Sequence, residues 1–140
     1  MIRLSLPTEP FWLELEPGAR LLVRPPSSAI HDAARFRAER MVRETIDRDR
    51  EIRAVGGEVV GLPDLTDEDM RAGFAHFLYA CALAQLAIVD WEGIGTAEGD
   101  DKAPVNDDTI RTLMSIPGTV PNIAQAAAPK ARRARVARQG

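Results

Sequence analysis

The sequence predicts a mainly α fold: a small helical bundle around one central apolar helix, with an N-terminal β-hairpin. Three observations carry that prediction. The stretch from Thr66 to Trp91 is apolar on nearly all sides, interrupted in mid-helix by His76 and Gln85. Residues 29–53 repeat apolar side chains at three- and four-residue spacing between charged ones. Residues 11–24 instead alternate with period two on either side of Pro17-Gly18.

The hairpin comes first. Phe11, Leu13 and Leu15 share one face of an extended run, and Trp12, Glu14 and Glu16 the other. Pro17-Gly18 marks the turn, Arg20 to Arg24 makes the return strand, and Pro25-Pro26 ends it. Pro-Gly suits a type II turn, whereas tight two-residue hairpins favour the primed types, so a loop longer than two residues is expected. Residues 3–6 also alternate and are a candidate short strand. A lone hairpin is marginal in water, so its apolar face must cover the helical core.

Ser27 and Ser28 offer an N-cap for a helix from about Ala29 to Arg53. Ile30, Ala34, Ala38, Met41, Val42, Thr45, Ile46 and Ile52 form its apolar stripe. The outer face carries seven arginines and six acids, with Glu39–Arg43, Glu44–Arg48 and Asp49–Arg53 in the favourable order. Interleaved signs cancel the field that a phosphate would feel, so this is a solvated face rather than a nucleic-acid site. Gly56-Gly57 ends the helix, and residues 58–63 form an extended connector whose apolar side chains are expected over the core.

Thr66-Asp67-Glu68-Asp69 reads as a helix start, with Thr66 able to cap an acidic first turn. Met70, Phe74, Phe77, Cys81, Ala84 and Ile88 then share a face, and the helix is expected to run to Asp90-Trp91. An all-round apolar helix of roughly 36 Å is either the centre of a bundle or a membrane span. The alanine content, the mid-helix His76 and Gln85 and the missing basic and aromatic flanks favour the buried helix. Its small residues allow close approach by other helices or by another copy of the chain. Ile94 to Val105 is a Gly-, Asp- and Pro-containing loop. Asn106 caps a short helix presenting Ile110, Leu113 and Met114 on one side, and Ile123 to Ala128 is expected to add a further turn.

At 140 residues the chain is expected to form one domain over residues 1–129, followed by a basic, disordered tail at 130–140. The tail holds Lys130, Arg132, Arg133, Arg135 and Arg138. The preceding residues carry 13 basic and 21 acidic side chains, a net charge of −8. The single Cys81 allows no disulfide within the chain and reads as a small buried hydrophobe. No signal-peptide pattern is visible in the first 25 residues.

Chemistry-bearing motifs are few. His31 and His76 are not spaced as metal ligands, and no nucleophile elbow, P-loop or dinucleotide fingerprint is present. Glu98, Asp100 and Asp101 lack the alternation of a Ca²⁺ loop. Asp90 and Glu92 flank Trp91, but on a helix residues i and i+2 do not face each other. The expectation is therefore no catalytic residue, no cofactor and no metal: a protein that works through contact surfaces.

One stretch is distinctive. Ala87-Ile88-Val89-Asp90-Trp91-Glu92-Gly93-Ile94, a short acidic loop, and then Ala103-Pro104-Val105-Asn106-Asp107-Asp108-Thr109-Ile110-Arg111-Thr112-Leu113-Met114 resemble the tail assembly chaperones of long-tailed bacteriophages, prophages and gene transfer agents. Phe11-Trp12-Leu13, Pro17-Gly18, Val23-Arg24-Pro25 and Ala33-Ala34-Arg35 fit the same order. The resemblance covers about residues 10–117. It departs after Leu113, where a longer aromatic-bearing helix would be expected and Pro117 and Pro121 intervene. It implies a non-enzymatic assembly factor that coats the tape measure protein, hands tail tube subunits onto it, acts in the host bacterial cytoplasm and is absent from the mature particle. Candidate partner contacts are Trp12, Trp91, Ile110, Leu113, Met114 and Ile123, and another copy of the chain is a further candidate partner. No membrane partner is expected. Two alternatives stand beside this reading. One is a virion structural component such as a head–tail connector or tail terminator. The other is a nucleic-acid-associated protein acting through the basic tail, which would bind without sequence specificity.

Overall fold

Phe11–Glu16 (β1) and Ala19–Val23 (β2) pair antiparallel, with Phe11 opposite Val23 and Leu13 opposite Leu21. The computed structural model describes residues 8–25 and 27–117. Alternation puts Leu21 and Val23 in the core, with Phe11, Leu13 and Leu15 packed against it. The connecting loop is Pro17-Gly18 alone, shorter than the turn chemistry suggested. Gly18 takes φ +89°, as the third position of a type II turn requires. The register shifts between Glu14 and Glu16, so Leu15 is an extra residue on β1. That bulge adds local twist and lets an unprimed turn close a tight hairpin.

Ser28–Ala54 (α1) begins at Ser27, whose hydroxyl accepts the Ile30 N–H at 3.2 Å. It ends in a Schellman arrangement. Gly56, at φ +82°, donates to the Arg53 carbonyl, and Gly57 donates to that of Ile52. Ala34 and Ala38 are buried, while the outer face is charged. Of the three expected pairs, Asp49–Arg53 is formed at 3.1 Å, and Asp32–Arg35 is formed besides.

Glu68–Ala87 (α2) is capped by Asp67, not Thr66: the Asp67 carboxylate accepts the Met70 N–H at 3.0 Å. Thr66 donates its N–H and hydroxyl to Asp64 instead. α2 is the middle layer. Leu78 and Ala82 pack with Ala34 and Ala38 of α1, while Cys81 and Ala84 belong to the core shared with the sheet. Enclosure begins only near Leu78. Residues 68–73 are exposed, as is His76, so the expected all-round burial holds for the second half alone. The connector departs likewise: Val59, Leu62 and Leu65 are half-buried, but Val60 is 97% exposed. No described helix is long and apolar enough to cross a membrane.

The largest difference from the expected helical bundle begins at Ile88. The central helix does not continue to Trp91. Ile88 turns to φ −74°, ψ 123°, and Ile88–Glu92 (β3) pairs antiparallel with β2. Ile-Val-Asp-Trp-Glu has the β-branched and alternating character of a strand, and the open side of β2 supplies the partner. The Arg24 N–H closes the corner on the Ala87 carbonyl at 2.8 Å. Among the described residues the fold is therefore mixed, three helices and one three-stranded antiparallel sheet in the order β1-β2-β3, with the N-terminal hairpin as expected.

Asp107–Met114 (α3) starts in a full capping box. Asn106 accepts the Thr109 N–H at 2.9 Å, and the Thr109 hydroxyl accepts the Asn106 N–H at 3.0 Å. Ile110, Leu113 and Met114 close the core over Trp91, Leu21 and Cys81. Trp91 has no exposed surface, and its indole N–H donates to the Ala103 carbonyl at 2.8 Å. The candidate strand at 3–6, the turn at 123–128 and the basic tail lie outside the described residues.

Candidate partner-binding surface

Period-two geometry turns one side chain of every pair away from the core, and three strands together build an outer face. β1 contributes Trp12 and Glu14, β2 Arg20 and Leu22, and β3 Asp90 and Glu92. The register sets Trp12 opposite Leu22, Glu14 opposite Arg20, Arg20 opposite Glu92 and Leu22 opposite Asp90. Neighbouring side chains therefore interact across the strands.

Arg20 organises this face. Its guanidinium lies 4.0 Å from the Trp12 ring centroid, and its Nε donates to Glu92 Oε2 at 2.8 Å. The stacked cation holds the indole in place, and the carboxylate holds the cation. The Glu92 hydrogen bond raises the Arg20 pKa, and the same bond lowers that of Glu92. Farther along β3, Lys102 Nζ donates to Asp90 Oδ1 at 2.8 Å. That bond, followed by the Trp91 N–H donated to the same oxygen, holds the Asp90 carboxyl below its usual range. Both ion pairs are solvent-exposed, so they order the surface more than they stabilise the fold.

Trp12 is 38% exposed, and with Glu14, Gly18, Ala19, Arg20 and Glu92 it lines a shallow open depression. Such a surface can take an apolar side chain against the indole edge and a polar rim around it. Among the described residues no group of three or more His, Cys, Asp or Glu side chains is placed to hold a metal ion. His31 bonds the Tyr79 hydroxyl at 3.0 Å, tying α1 to α2. Cys81 is wholly buried, and burial pushes its thiol up to about 11.

Of the five candidate contacts that fall among the described residues, Trp12 alone is on this face. Trp91, Ile110, Leu113 and Met114 lie inside the core, where their apolar area is spent on the chain's own packing. Ile123 lies outside the described residues. Sequence reasoning missed Arg20, Leu22, Glu92 and Lys102. The available signal was the alternation at 88–92: on a strand, unlike a helix, Asp90 and Glu92 do share a face. Comparison with family models, with curated proteins and with solved structures finds no match.

Proposed function

We propose that this chain is a tail assembly chaperone of a long-tailed phage, prophage or gene transfer agent. In this reading it binds the tape measure protein, helps recruit tail tube subunits, and does so without catalysis, in the host cytoplasm. The observation that carries the reading is the Trp12–Arg20–Glu92 arrangement. A half-open aromatic ring, already ordered by a stacked and ion-paired arginine, loses little further freedom on binding. Trp and Arg are the side chains on which interface energy concentrates. The order of elements supports the reading too: a strand pair, a charged helix, an alanine-rich helix leading into Val89-Asp90-Trp91-Glu92-Gly93, and an Asn106-capped helix.

The test is co-expression with the tape measure protein encoded nearby. The chain should keep that long helical protein soluble and co-purify with it. Trp12→Ala should weaken the association about tenfold or more while costing the fold only about 1 kcal/mol through the lost cross-strand and cation–π contacts, since the ring lies outside the core. A tape measure protein left as insoluble as before would overturn the reading. Recovery of the chain from purified particles would point instead to a virion component.

A further inference from the structure

We draw no further inference here: the strongest candidate, the exposed apolar side chains Val55 after α1, Val60 in the connector and Met70 at the start of α2, is an unpartnered apolar surface, and nothing in the structure shows what covers it.

Discussion

Gly93 abuts Gly18 so closely that a Cβ at position 93 would overlap the Gly18 carbonyl oxygen. The residue that follows β3 thus lies on the turn joining β1 and β2, and it does so at φ +74°, a conformation that disfavours any side chain. Gly93→Ala should combine left-handed strain with a backbone clash and cost several kcal/mol, of which about 1–2 kcal/mol is the strain alone. Gly56→Ala is the control. Gly56 also has positive φ, but open space surrounds it, so only the strain term of about 1–2 kcal/mol should appear. Urea midpoints of the two variants measure the difference, and equal losses would contradict the contact.

The two tryptophans should report separately. Trp91 is fully enclosed and Trp12 partly open, so Trp12→Phe should leave blue-shifted emission and Trp91→Phe red-shifted emission. Trp91→Phe also removes the donor to the Ala103 carbonyl and should cost about 1–3 kcal/mol. Trp91→Ala, which empties the centre of the core, should cost about 3–5 kcal/mol.

Acid should weaken the sheet through Asp90 and Glu92. Both carboxyls titrate below their usual values in the folded chain, so the unfolded chain takes up protons first. Their contribution is complete above the ordinary carboxylate range, about 4, and disappears as pH falls through the lower folded values. The groups are exposed, so the slope should be shallow and should shrink further in high salt. Denaturation midpoints between neutral and strongly acidic pH would show it, and Asp90→Asn with Glu92→Gln should flatten that part of the curve.

Cys81 should resist thiol reagents in the native state. Its pKa of about 11 leaves almost no thiolate at pH 8, and the side chain has no exposed surface. Labelling should therefore be slow in buffer and fast in denaturant. The sign also fixes an alkaline effect. A pKa raised on folding contributes stability below the unfolded value, near 8.5–9, that is lost as pH rises through about 11. Fast labelling at neutral pH without denaturant would mean that the core around α2 opens readily.

Much of the fold was legible because local chemistry and tertiary packing agree. Ser27, Gly56-Gly57, Asn106 and the alternation of Phe11 to Glu16 each dictate what the chain does there. The failures have a common cause: the decisive partner was distant in sequence. Ile88 to Glu92 follows twenty helical residues and fits a helical apolar pattern as far as Ile88, and only β2, some seventy residues earlier, makes it a strand. The candidate surface suffered in turn. With Trp91 on a helix end, Asp90 and Glu92 appeared unrelated, and Arg20 had no visible partner. Trp12 was found because the hairpin is local. Met114, Leu113 and Ile110 were correctly placed on one side of their helix, but the sequence does not say whether such a side meets a partner or the chain itself.

Finally, α2 passes into β3 with no intervening loop: Ala87 is helical and Ile88 is extended. Helix and strand therefore share one phase, broken only by the register shift that makes Val89 an extra residue just past the junction. A single residue inserted after the shift, between Val89 and Asp90, should turn the regularly paired part of β3 over, aiming Trp91 at water and Asp90 at the core. Chains that vary in length should accordingly do so in the connector at 55–67 or the loop at 94–105, and hold the spacing from Cys81 to Trp91 constant.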